Sequence, residues 1–397
     1  MVWTLERSTS PRRMIPRAYT YLYAAIAVLF FFGLFVYAPL PDRYDDHRKA
    51  LVEHVKDVTL ERIPLDRPAD GPVDGPVDQS VDPFVDAPER SYYAGQPYPT
   101  FESVQSTYAY ATFLAGPSDP ELVDDVHRDK YFIATRILSY QLLHAPETRT
   151  QNHHPFIVLV TDDVPEHKRD RLRRDGAIVW EAPALDAGWV RTDISTWQKV
   201  LSKLRLWQLT QFERIAFLDG DTVLTTSLDG IFEDRAVIER VTHDNADAIP
   251  ADESRLPFSY VLAGVPEMNA AHHFPPTDEQ NDWPNIDYLN AGFFVLKPSL
   301  ELMQYYTTLT TIPERFDPHL PEQNLLNYAH RRDGNMPWVQ LDTKWNMHYP
   351  TVDDLEGGVA SLHEKWWDPV NQDLKPFLQS WRWRMEGYWE ARDASLV

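Results

Sequence analysis

The chain has 397 residues, 43% of them hydrophobic and 13% aromatic, enough to bury one large core. Lysine and arginine total 38 against 60 aspartates and glutamates, a formal net charge of −22, which excludes a basic-patch nucleic-acid binder and leaves any anionic ligand dependent on a metal ion or a few placed lysines. There is no cysteine, so thiol catalysis, cysteine-ligated zinc and disulfides are excluded as well.

Residues 1–17 carry Arg7, Arg12, Arg13 and Arg17 and predict a short cytoplasmic tail. From Ala18 to Leu40 the chain carries no charge and is, apart from Thr20, apolar or aromatic, long enough to cross a hydrocarbon core of roughly 30 Å. This run exceeds the roughly 7 to 15 residues of a cleaved signal peptide, so it predicts a transmembrane signal anchor in a single-pass type II membrane protein. Residues 41–100 are rich in Pro and Asp, with the repeat Gly71-Pro72-Val73-Asp74 and Gly75-Pro76-Val77-Asp78. Such a composition cannot bury enough apolar surface to offset its ordering entropy, and it predicts a disordered stem.

Residues 101–397 change in texture and predict one folded domain. Ala109 to Leu114, Phe156 to Thr161, Ile178 to Trp180 and Arg214 to Leu218 are short apolar runs of the kind that form buried parallel strands. Amphipathic stretches from Lys130 to His144, Pro165 to Arg174 and Ser195 to Thr210 separate them. The alternation predicts a Rossmann-like α/β domain with a mostly parallel central sheet and helices on both faces. Ligands of such sheets bind beyond the carboxyl ends of the strands. Directly after the run ending at Leu218 comes Asp219-Gly220-Asp221-Thr222. Two carboxylates one residue apart at a strand end suit an oxygen-ligated Mg²⁺ or Mn²⁺, and Gly220 reads as permitting the turn and a close ligand approach. Asp-Gly-Asp is also ordinary turn chemistry, but a buried strand leading into it favours the functional reading.

These residues and others downstream resemble glycosyltransferase family 8, the glycogenin-like retaining enzymes, from about Tyr108 to Asp368. Tyr108-Ala109-Tyr110-Ala111-Thr112 is similar to the family's first strand, and Phe217-Leu218-Asp219-Gly220-Asp221-Thr222 to its DxD motif. Leu289-Asn290-Ala291-Gly292-Phe293-Phe294, Glu322-Gln323-Asn324 and Leu362-His363-Glu364-Lys365-Trp366 follow in the family's order. The resemblance implies a GT-A-type fold with Asp219, Asp221 and His363 as metal ligands for Mn²⁺ or Mg²⁺. It implies donor contacts from Thr112, Lys203, Asn290 and Lys365, with Glu322 and Gln323 as the catalytic pair facing the donor sugar. Two departures stand out: the glycine the family commonly places between the ligating histidine and the lysine is missing here, and Glu322 stands where Asp is usual.

The function so implied is a metal-dependent hexosyltransferase that moves a hexosyl or N-acetylhexosaminyl group from a UDP-sugar to a glycan or glycoconjugate hydroxyl in the Golgi lumen. The branch most resembled is the fungal Golgi N-acetylglucosaminyltransferases, which makes UDP-N-acetylglucosamine the first donor. A hydrophobic strand followed by Asp-x-Asp-x-Thr also fits an Mg²⁺-dependent phosphatase with an aspartate nucleophile, and an inactive anchored scaffold is a third reading. Trp338, Trp345, Trp366, Trp367, Trp381, Trp383 and Trp389 read either as core packing or as platforms for acceptor sugars.

Overall fold

The computed structural model describes residues 98–185, 187–190, 195–245 and 249–394. The expected tail, anchor and nearly all of the stem lie outside the described residues. Among those described, no helix is long and apolar enough to cross a membrane.

The expected alternation is present. Strand β1 (Tyr108–Leu114), helix α1 (Lys130–Leu143), β2 (Phe156–Val160), α2 (Glu166–Arg174), β3 (Ile178–Glu181), a 3-10 stretch from Ser195 to Gln208 and β4 (Arg214–Leu218) succeed one another. The 3-10 stretch replaces the amphipathic helix expected from Ser195 to Thr210. Leu201, Leu204 and Trp207 recur every third residue and are all buried, which is the period of a 3-10 helix.

Beyond β4 come β5 (Thr222–Leu224), the ribbon strands β6 (Arg240–Val241) and β7 (Ser259–Tyr260), β8 (Leu262–Pro266) and β9 (Leu289–Leu296). Helices α3 (Leu300–Thr311) and α4 (Pro321–Ala329), strands β10 (Val339–Gln340) and β11 (Met347–His348), helix α5 (Val352–Glu356), β12 (Ser361–His363) and α6 (Lys375–Ala394) complete the chain. The main sheet runs β3-β2-β1-β4-β9-β8-β10. Only β9 is antiparallel to its neighbours, β4 and β8, so the domain is a mixed α/β fold with a mostly parallel central sheet.

Alternation along the strands builds two core layers. Ala109 and Ala111 face one cluster with Leu204, Trp207, Phe217 and α3, whereas Tyr110 faces the other with Phe132 and Leu138 of α1. Helix α1 is apolar on two sides because α6 packs on its outer face: Ile133, Ile137 and Tyr140 join Trp381, Met385 and Trp389 in a third cluster. This placement answers the question of the tryptophans. Trp338, Trp345, Trp366, Trp381 and Trp389 are buried as packing, Trp383 is exposed, and Trp367 lines the cleft described below.

The direction of β9 concentrates the chemistry. β4 and β8 run the same way, so their carboxyl ends, at Asp219 and Glu267, lie at the edge of the sheet where β9 begins with Leu289 and Asn290. A cleft of about 910 Å³ opens along this edge.

Candidate active site

Asp219 follows the last residue of β4, and its backbone N–H donates to the Gly292 carbonyl at 2.7 Å, tying the turn to β9. The Thr222 N–H closes the turn onto the Asp219 carbonyl at 3.1 Å. β5 then pairs antiparallel with β12, with Thr222 opposite His363, and the Glu364 N–H donates to the Asp221 carbonyl at 2.9 Å. Sheet pairing therefore brings His363 against the aspartates: its Nε2 lies 3.5 Å from Asp221 Oδ1. One ligand atom from each of Asp219, Asp221 and His363 lies within 4.8 Å of the others, and the buried His363 Nδ1 has no hydrogen-bond partner. Two hard carboxylate oxygens and an imidazole fit a small divalent cation.

Gly292 makes the room for that imidazole. A Cβ built on it would lie 2.0 Å from His363 Cε1. Gly220, in contrast, has no positive φ, and a Cβ there would come no nearer than 3.4 Å to Thr135 Oγ1 and 3.9 Å to Thr112 Oγ1. The turn itself thus makes no steric demand for a glycine at that position, and the glycine whose lack of a side chain seats the histidine is Gly292.

Lys203 is buried beneath the carboxylates rather than solvated. Its Nζ donates to Asp219 Oδ1 at 2.7 Å and Glu322 Oε1 at 2.9 Å, and it sits 5.1 Å from the centre of the Phe217 ring. Burial disfavours the charged ammonium, but the two carboxylates outweigh it and raise Lys203 above its ordinary range. Asp219 is itself raised: burial is the chief cause, Lys203 opposes it and Asp221 reinforces it. Asp221 goes the other way. Burial works against its charge, yet the adjoining His363 ring and the Lys365 charge hold it well below the usual carboxylate range.

The expected donor-sugar residues meet at the same edge. Gln323, in the first turn of α4, accepts from the Ala291 N–H at 2.8 Å, and Asn290 Oδ1 accepts from the Gly292 N–H at 3.1 Å. Both amides also donate to Glu267 Oε2, at 2.9 Å from Asn290 and 3.3 Å from Gln323. Glu267 Oε1 pairs with His348 Nδ1 at 2.5 Å. Burial opposes its ionisation, but the His348 hydrogen bond and charge, with the Asn290 amide, lower Glu267 to about 2. The His348 ring stacks on His363 with centroids 4.7 Å apart. Glu267 and His348 were not singled out from the sequence. The one available signal was their position: Glu267 directly follows an apolar run, as Asp219 does, and His348 stands in no motif at all.

Other residues fall where geometry dictates. Asn290, Glu322, Gln323, Lys203 and Lys365 all line the cleft with Asp219, Asp221 and His363. Thr112 does not. It lies inside β1 opposite Val158, its side chain is fully buried, and its hydroxyl lacks a hydrogen-bond partner. At this end of the sheet the cleft is lined instead by Phe113 and Leu114, the last two residues of β1, and by Ala115 and Gly116 just after them.

No family model matches the chain. It is similar to an uncharacterised protein of Schizosaccharomyces pombe, 28% identical over an alignment of 316 positions that covers 69% of this chain and 81% of that one. It is likewise similar to galactinol synthase 10 of Arabidopsis thaliana, 25% identical over an alignment of 308 positions that covers 68% of this chain and 82% of the relative. Among solved structures, the apo WbbM bifunctional glycosyltransferase is similar with a TM-score of 0.44 and 13% identity, covering 72% of this chain and 52% of that one. The class supported by the sequence relatives is a glycosyltransferase. Within that class the similarity to galactinol synthases supports glycosyltransferase family 8, without extending to the Golgi N-acetylglucosaminyltransferase branch.

Proposed function

We propose that the chain is a metal-dependent, retaining hexosyltransferase that takes its sugar from a UDP-sugar and passes it to a hydroxyl of a glycan or glycoconjugate. The observation that carries this reading is the convergence of Asp219, Asp221 and His363 at the carboxyl end of β4, beside a cluster of amides and carboxylates at the start of β9. A divalent cation held by those three side chains would offset the charge of the departing diphosphate.

The chain's own groups do the remaining work. Lys203 fixes the directions of Asp219 and Glu322 by donating to both, so one cation orients the metal-facing and the sugar-facing carboxylate. Lys365, lining the cleft beside His363, supplies a second positive charge at the diphosphate end. Asn290, Gln323 and Glu267 form a rigid polar wall whose unused lone pairs and amide protons meet sugar hydroxyls. Glu322, held by Lys203, faces the same space and serves either as a wall of the site or as the carboxylate of a covalent glycosyl-enzyme.

UDP-N-acetylglucosamine is the first donor to test, with UDP-glucose and UDP-galactose next. The setting proposed is the Golgi lumen, with the chain anchored as a type II membrane protein. The test is UDP release by the full-length chain from each UDP-sugar, from GDP-mannose and from a phosphomonoester, with Mn²⁺ and with EDTA. Mn²⁺-dependent UDP release from one or two donors, with the donor's anomeric configuration kept in the transferred product, is the expected result. Phosphomonoester hydrolysis that vanishes in Asp219→Asn, without UDP release, would install the phosphatase instead.

A further inference from the structure

Four non-glycine residues among those described have a left-handed backbone: His153, Asn281, Glu314 and Tyr349. Of these, Tyr349 alone lines the cleft, with φ of 53°. A bulky aromatic residue occupies this region only where its surroundings impose it, and such outliers gather at ligand sites. Here the imposition is visible. Tyr349 directly follows His348, the last residue of β11, and its ring lies flat on the His348 ring with centroids 3.8 Å apart and planes 23° apart. His348 stacks in turn on His363 at 4.7 Å and 27°. Three rings therefore run in file from the metal-ligand set to the wall of the cleft, each braced by the one before.

Next to this wall stands Glu267. His348 takes one of its oxygens, and Asn290 and Gln323 donate to the other. An ionised carboxylate has about four lone-pair sites, so one remains for a hydroxyl donor. An aromatic ring beside a fixed hydrogen-bond acceptor is the pairing that receives a polyhydroxylated ring: its C–H face packs on the aromatic face while its hydroxyls find the acceptor. The position is on the β8 and β9 side of the aspartates, whereas the loop after β1 lies on the other side of β4, leaving that flank to the nucleotide.

We propose that Tyr349 is the platform for the acceptor, and that the acceptor is a neutral polyhydroxylated ring, a sugar or a cyclic polyol, presented with one hydroxyl toward the metal-ligand set. This rests on the glycosyltransferase reading above. The transfer forms a bond from the acceptor oxygen to the anomeric carbon and breaks the bond from that carbon to the diphosphate oxygen, which leaves with the electron pair. The acceptor's hydroxyl proton goes to the departing diphosphate.

Two variants of the full-length chain separate this inference from the function it rests on. Tyr349→Asn removes the ring but keeps a residue that tolerates the left-handed backbone, and Tyr349→Phe keeps the ring. UDP release from the preferred donor is measured in water alone and then with methyl glucoside, methyl galactoside, methyl N-acetylglucosaminide and myo-inositol as acceptor probes. At least one probe should stimulate release by the wild type and by Tyr349→Phe. Tyr349→Asn should lose about five- to tenfold in kcat/KM for that probe while its hydrolysis in water stays within about twofold of wild type. Undiminished stimulation of Tyr349→Asn, an equal loss in hydrolysis and transfer, or no stimulation of a wild type that hydrolyses donor would each overturn the platform. A wild type that hydrolyses no donor would instead bring down the glycosyltransferase reading, and the platform with it.

Discussion

A Cβ on Gly292 would lie 2.0 Å from His363 Cε1, so the absence of a side chain on β9 is what seats a histidine carried by β12. Gly292→Ala should therefore fold, since the His363 ring is a side chain that can swing away, but it should displace that ring by enough to spoil the ligand geometry. A shift of this size costs about a hundredfold in activity. Mn²⁺ titration followed by electron paramagnetic resonance should show weakened binding in the variant, alongside an unchanged far-ultraviolet circular dichroism spectrum. Native Mn²⁺ affinity in Gly292→Ala would remove His363 from the ligand set.

Asp221→Asn preserves shape and removes one hard ligand. UDP release should fall by about 10²- to 10³-fold. Because a ligand that binds only the native state adds stability by mass action, saturating Mn²⁺ should raise the melting temperature of the wild type, and EDTA should reverse the rise. The shift should disappear in Asp221→Asn and shrink in His363→Ala. Equal melting shifts in all three proteins would place the ion elsewhere.

Lys203 is 5% exposed and bridges Asp219 and Glu322. Lys203→Met leaves both carboxylates facing one another without a cation, and removing one partner of a buried pair costs about 3 kcal/mol. Adding Glu322→Gln should recover part of that loss, since the remaining charge is then single. Chemical denaturation of the two single variants and the double variant gives the coupling directly. Additive losses would mean that the bridge is not maintained in solution.

His330 supplies a pH dependence remote from the cleft. It is fully buried, and its Nδ1 faces the Met336 carbonyl at 2.7 Å, which fixes the proton on Nδ1 and leaves Nε2 to accept from the Tyr306 hydroxyl at 2.6 Å. Burial depresses the imidazole to about 4, against 6.5 for the free side chain, with only the Met336 contact opposing. A depressed histidine stays neutral in the folded state while the unfolded chain takes up a proton. The stability it provides is complete above about pH 6.5 and is lost as pH falls toward 4, by about 3 kcal/mol in all. Denaturation at a series of pH values should show this slope flattened in His330→Gln, whatever that variant costs at neutral pH. An unchanged slope would assign the acid sensitivity to other groups.

The anchor and orientation are open to a direct test. With four arginines ahead of the apolar run, the folded domain should be lumenal, and protease added to sealed microsomes should spare it. Digestion without detergent would overturn the topology and the Golgi setting together.

The strands β1, β2 and β4 and the turn carrying Asp219 and Asp221 were legible in the sequence because each depends on local pattern: a short apolar run, its polar boundary and a turn motif. The resemblance to a known family added His363, Asn290, Glu322 and Gln323 as residue types in order, but order says nothing of distance. Only the tertiary structure set His363 against Asp221, since that contact depends on β12 pairing with β5 across a long stretch of chain. It also buried Lys203, kept Thr112 out of the cleft that Phe113 to Gly116 line, and showed why β9 needs Gly292. Glu267 and His348 were silent in the sequence because an isolated glutamate or histidine looks the same whether it is solvated or central. Their role comes from the partners that packing supplies, and local sequence does not encode non-local partners.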